Sequence, residues 1–153
     1  MHRVRPVLAS LVTTLVLLGI AAPAMAVSWG TIVVYESGVE QGRAYGTFAS
    51  QSYTYAAMDA YFKDSRPGGD GVFVDIDYMY WVQDCAQCPA AYSQKGNDQT
   101  GRTTSGAWAG PSHQTFQLWP SSNSARGAIQ VCEDQAWSKD PCSEPDALPT
   151  FTY

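Results

Sequence analysis

The sequence predicts an all-β protein, an antiparallel β-sandwich or small barrel of seven or eight short strands. Three observations point there. Apolar and polar residues alternate in segment after segment, turn-forming clusters recur about every ten residues, and four cysteines follow an apparent export signal. Alternation at period two sends successive side chains to opposite faces of a strand, so each segment has one face to bury.

The export signal comes first along the chain. Arg3 and Arg5 form a basic start, Leu11 to Ala22 an apolar core, and Ala24-Met25-Ala26 a small-x-small cleavage site. That core is about a dozen residues long and stops at Pro23, well short of the roughly 20 that a membrane helix needs. Cleavage of residues 1–26 from the 153 leaves a single secreted β domain of 127, residues 27–153, with room for a real core. Without Arg3 and Arg5, seven of the nine Lys and Arg face fourteen acids, a formal charge of about −7. Such a surface repels nucleic acid and anionic membranes, so neither is an expected partner.

The first segments alternate cleanly. "WGTIVVYE" (29–36) puts Ile32 and Val34 on one face and Trp29, Thr31, Val33 and Tyr35 on the other, and "RAYGTFA" (43–49) follows the "SGVEQG" turn. "YTYAAMDAYFK" (53–63) also fits a helix capped by Ser52. The strand reading is preferred because Met58, Ala60 and Phe62 alternate with Asp59, Tyr61 and Lys63. "DSRPGGD" then supplies turn chemistry before "GVFVDIDYMYW" (71–81). There Val72, Val74, Ile76, Tyr78 and Tyr80 share one face, with Phe73, Asp75, Asp77, Met79 and Trp81 on the other. The span 86–101 reads as the longest polar loop and a candidate functional insert. Further strands are expected at about 103–109, 113–119, 125–133 and 150–153. Trp29, Trp108 and Trp119 are expected to fill the core.

Cys85, Cys88, Cys132 and Cys142 allow three pairings, of which the local one, 85 with 88 and 132 with 142, is preferred because "SKDP" would turn the chain between the second pair. A redox role for "CAQC" lacks the strand-helix-strand context that motif needs, and a four-cysteine zinc site is disfavoured by the wide second spacing. The run "ARGAIQVCEDQAWSKDPCS" resembles a recurring C-terminal strand and disulfide turn of small secreted actinobacterial proteins of unknown function. The likeness covers mainly the strand and cysteine layout from about Tyr53 onward and implies no activity. The secreted subtilisin-inhibitor family is similar in size and cysteine number but closes two wider loops, which leaves protease inhibition a minor alternative.

Catalytic sets are sparse, and no catalytic residue, cofactor or metal is assigned. His113 is the lone histidine after the signal and reads as a surface strand residue; there is no G-x-S-x-G elbow and no glycine-rich phosphate loop. Glycoside hydrolysis needs only two carboxylates, so Asp75 with Asp77, or Glu133 with Asp134, keep a small hydrolase as the second reading. The preferred reading is a monomeric extracellular protein that acts by binding or structural contact, its ligand a glycan, a cell-wall component or a protein.

The expected contact surface comes from register. A hairpin closed by "DSRPGGD" with Lys63 opposite Gly71 would set Met58 against Ile76 and Phe62 against Val72 inside, and Tyr61 against Phe73 and Asp59 against Asp75 outside. One face-preserving step moves Asp59 opposite Asp77. Either way Asp59, Tyr61, Phe73, Asp75, Asp77 and Trp81 form an acidic and aromatic face. Its charge would be met by Lys63, Arg43 or Arg126, by Ca²⁺ or by a basic partner, unless the aspartates are merely solvated or ion-paired. Protein recovered from culture medium is expected to begin at Val27 with no free thiol; intact mass and thiol labelling check this, and a retained Met1 would overturn export.

Overall fold

A computed structural model describes residues 26–136, 139–145 and 147–153; the expected signal, up to Met25, lies outside them. Among the described residues there is no helix, and eight strands run β1 (Val27–Glu36), β2 (Val39–Gln51), β3 (Tyr55–Asp64), β4 (Gly71–Val82), β5 (Ala91–Gln99), β6 (Ala109–Gln117), β7 (Ser124–Asp134) and β8 (Thr150–Thr152). They form two antiparallel four-stranded sheets, in the orders β1-β2-β3-β6 and β5-β4-β7-β8. The sheets do not close on each other, so the molecule is a sandwich rather than a barrel.

Local chemistry sets the hairpins. Ser37 and Gly38 both take positive φ, 50° and 78°, and make the two-residue turn whose twist suits antiparallel strands. The turn expected over 37–42 is therefore shorter, and β2 already starts at Val39. Ser52 and Tyr53 also take positive φ, with the Thr54 N–H donating to Gln51 O at 3.1 Å; the segment expected as strand over 53–63 is strand, beginning two residues later, at Tyr55.

The alternating apolar faces meet between the sheets. Val34, Phe48, Met58, Val72, Val74, Ile76, Tyr78, Tyr80, Ile129 and Val131 are fully buried there. Tyr78 stacks on Phe116 with centroids 5.3 Å apart, and Tyr80 donates its hydroxyl proton to Gln117 O at 3.0 Å. Burial pushes both phenols well above their ordinary range, which keeps them neutral. Gly96 of β5 lies directly beneath the Phe116 ring, where a Cβ would collide.

Four expectations fail. The largest concerns "DSRPGGD", which does not close a hairpin within one sheet. β3 pairs with β2 and β6, and β4 pairs with β5 and β7, so residues 65–70 carry the chain across the roughly 10 Å between facing sheets. The expected strand at 103–109 reduces to a single bridge between Thr103 and Val72. The expected loop at 86–101 contains β5, an edge strand whose polar composition hides its pairing with β4. Of the three tryptophans assigned to the core, only Trp29 is buried, at 7% exposure, while Trp108 and Trp119 are 45% and 36% exposed. Trp29 sits on the opposite parity from Ile32, and the bulge between Ser28 and Gly30, with Gly30 at φ 72°, turns its ring inward.

The disulfides are Cys85–Cys88, in the β4–β5 connection, and Cys132–Cys142. Two intrachain disulfides and no free cysteine fit an extracellular or other oxidising environment. The second bridge starts a ladder in which Pro141, Cys142, Ser143, Ala147 and Pro149 meet the edge of β7. The Ser143 N–H donates to Val131 O at 2.9 Å, Ile129 N–H to Ala147 O at 3.2 Å and Gly127 N–H to Pro149 O at 3.0 Å.

Gly46 gives the fold a direct check, because a Cβ there would strike the Asp59 carbonyl of β3 and the Trp29 ring. Gly46→Ala is expected to cost about 2 to 3 kcal/mol in urea unfolding, since main chain rather than a flexible side chain must yield.

Candidate functional site

β4 places its outward side chains in one row: Phe73, Asp75, Asp77, Met79 and Trp81. Pairing on both sides turns that row into rungs. Asp75 lies between Gln99 of β5 and Gln130 of β7, Asp77 between Asn97 and Ala128, and Met79 between Gln94 and Arg126; Trp81 lies opposite Tyr92. The outer face of this sheet is thus a grid of amides and carboxylates that ends in aromatic rings.

The two carboxylates are tied together. Asn97 Nδ2 donates to Asp75 Oδ1 and Asp77 Oδ1, both at 3.0 Å, and reaches Ile76 O at 3.2 Å. Its two N–H groups are shared among three acceptors. Gln94 Nε2 also donates to Asp77 Oδ1 in a short bond. Among the described residues the second oxygen of each aspartate has no protein partner, so both stay available as acceptors. None of Lys63, Arg43 and Arg126 neutralises them: Lys63 lies over the Trp108 ring, Arg43 binds Glu40, and Arg126 caps Tyr92. No group of three or more metal-ligating side chains converges among the described residues.

The aromatic end is equally fixed. The Arg126 guanidinium sits 3.7 Å from the Tyr92 centroid and donates from Nε to Thr150 Oγ1 at 3.2 Å. Tyr92 shares a 2.8 Å hydrogen bond with Ser124 Oγ and meets the Trp81 ring edge-on at 5.2 Å. Trp81 remains 45% exposed. A half-exposed indole held by its neighbours presents apolar area with little ordering cost left to meet on binding.

The expected surface is therefore divided. Asp75, Asp77 and Trp81 share this face. Phe73 lies on it too but is buried beneath the Arg102 guanidinium, 4.7 Å from the ring centroid. Asp59 and Tyr61 belong to the outer face of the other sheet and do not oppose Asp75, Asp77 or Phe73, because the chain changes sheets between β3 and β4. There Asp59 bonds His113 Nδ1 at 2.7 Å, with His113 Nε2 3.3 Å from Gln51 Oε1, and Tyr61 stacks on Tyr45 at 5.1 Å. The adjacent acids Glu133 and Asp134 also separate, Glu133 to the core side and Asp134 outward onto Arg102. Tyr92, Gln94, Asn97 and Gln99 were hidden by their position in the supposed loop. A polar edge strand with a bulge at Lys95, opposite the Tyr78–Met79 step of β4, carries no hydrophobic period to betray it.

Comparison with known proteins returns no match: no family model, curated protein or solved structure is similar to this chain. The geometry alone carries the functional argument.

The Asn97 clamp predicts coupling. Asn97→Ala is expected to lower stability by about 1 kcal/mol or less, as the bonds are solvent-facing, and to lower it less in an Asp75→Asn/Asp77→Asn background. A urea double-mutant cycle checks this.

Proposed function

We propose that this is a secreted binding protein whose ligand is a neutral glycan, held on the outer face of the β5-β4-β7 sheet. The single observation that carries the reading is the ordered row from the Asp75/Asp77/Asn97 clamp to the exposed Trp81. Sugars offer hydroxyl groups that donate to carboxylates and accept from amides, and their ring C–H faces pack on an aromatic ring. The row offers both kinds of contact on rigid strands, with the nearer carboxylate, Asp77, four residues, or roughly 13 Å, from Trp81. The uncompensated acids disfavour an acidic polysaccharide. Binding is preferred to hydrolysis because the two carboxylates stand side by side on one strand of an open sheet surface, both on the same side of any ligand, whereas hydrolysis needs a pair that flanks the glycosidic bond. Export through a cleaved signal supplies the compartment in which the two disulfides form.

Neutral and acidic polysaccharides presented on an array or in affinity gels test the proposal. Trp81→Ala is expected to weaken binding of a neutral glycan tenfold or more, about 1.4 kcal/mol or above, and Asp75→Asn/Asp77→Asn to weaken it similarly. Tyr45→Ala on the opposite face should bind as the parent does. Retention of full binding by the Trp81 variant, or binding by acidic glycans alone, would falsify the assignment.

A further inference from the structure

The outer row of β4 is a line whose two kinds of contact lie toward opposite ends. Asp75 and Asp77 precede Trp81 by six and four residues, roughly 20 and 13 Å at about 3.3 Å per residue. Met79 lies half-buried between them. β4 pairs with β7 without a break from Gly71 to Tyr80, and the bulge beside it belongs to β5, so no extra residue kinks the row. Across the strands the two kinds of group do not mix. The Asp75 rung holds Gln99 and Gln130, the Asp77 rung Asn97 and Ala128, and Trp81 faces Tyr92. A ligand lying across the sheet would therefore meet the carboxylates or the indole, and only one lying along β4 meets both.

That spacing sets a least length for the ligand. A pyranose ring built from bonds of about 1.5 Å advances a glycan chain by about 5 Å. One sugar or two reach a single anchor; about three rings are the fewest that touch Asp77 and Trp81 together, and about four or five cover the row to Asp75. The line also selects a chain shape. Rings joined through equatorial bonds at opposite corners, as in a β-1,4 chain, run nearly straight, whereas one axial bond per ring, as in an α-1,4 chain, curls the polymer away from a line of contacts. At the Asp75 end the Arg102 guanidinium covers Phe73 and pairs with Asp134, which closes the row of open contacts on that side.

We infer that the ligand is a straight, unbranched neutral polysaccharide with equatorial 1,4-linkages, lying along β4 and held over about four or five rings. One ring stacks on Trp81, hydroxyl groups two or more rings away donate to Asp77 and Asp75, and the rings between them pass over Met79, whose flexible thioether follows an uneven C–H surface. This rests on the glycan reading of the face and adds the length, direction and linkage of the chain. Asp77 and Trp81 lie farther apart than the roughly 10 Å within which substitutions usually couple, so the two anchors contribute independently.

The test is calorimetric titration of the secreted protein with β-1,4-linked oligosaccharides of glucose, mannose and N-acetylglucosamine, two to six units long, and with the α-1,4-linked glucose series of the same lengths. Affinity for at least one β-1,4 series is expected to rise tenfold or more between two and five units and to level off by six. The α-1,4 series should bind at least tenfold more weakly at five units. Trp81→Ala and Asp75→Asn/Asp77→Asn should each weaken binding of the five-unit chain about tenfold, and together about a hundredfold, with far-UV circular dichroism checking that each variant keeps its fold. Equal affinity for two and six units, equal or tighter binding of a chain of any other linkage, or a combined loss no larger than either single loss overturns the inference; if that binding still depends on Trp81, the face remains a neutral-glycan site. Absence of Trp81-dependent binding to every neutral glycan overturns both.

Discussion

Everything in this molecule hangs on the two-residue period of β4. Its five inward residues from Val72 to Tyr80 are fully buried, and it is hydrogen-bonded on both edges, to β5 and β7. A slip of one residue would push Asp75 and Asp77 into the core and Tyr78 and Tyr80 into water, so the register is held by the free energy of burying an entire face. The same constraint aims the outer row. The candidate binding surface is rigid because each of its residues is the obligatory neighbour of a core residue.

Sequence reasoning could follow this period but not the partnering of strands. Seven of the eight strands announced themselves through alternation or turn residues, and both disulfides through local spacing. What it missed was which sheet each strand joins. "DSRPGGD" reverses the chain equally well within one sheet or across the gap between two, and its side chains say nothing about which edge of β3 is already taken. That edge belongs to β6, some fifty residues later. The error removed Asp59 and Tyr61 from the expected site while leaving Asp75, Asp77 and Trp81 together, since neighbours along one strand survive any change of partner. Trp108 and Trp119 failed for another reason: ring size argues for burial, but they flank β6, outside the alternating inward rows.

The unbalanced charge noted from composition is distributed unevenly. Arg43, Lys95 and Arg102 each neutralise one acid, Glu40, Asp84 and Asp134 respectively, and hydrogen bonds from Arg43 and Lys95 hold Glu40 and Asp84 below the ordinary carboxylate range. Among the described acids without an ion pair are the two on the sheet face and a group at the sheet end, Glu36, Asp64, Asp70 and Glu133. On the open face, water and amide donors suffice; at the end, burial makes the excess costly.

The ladder along β7 has a mechanical consequence. A pull on Tyr153 loads hydrogen bonds between β7 and β8, and then those from Pro149 back to Ser143, one after another, as a zip is opened. At Cys142 the path changes, because the bond to Cys132 passes the load directly into β7, a strand at the centre of its sheet. Peeling ends there. A chain tethered by its C-terminus would give up about ten residues of slack at low force and then bear tension through the whole sheet.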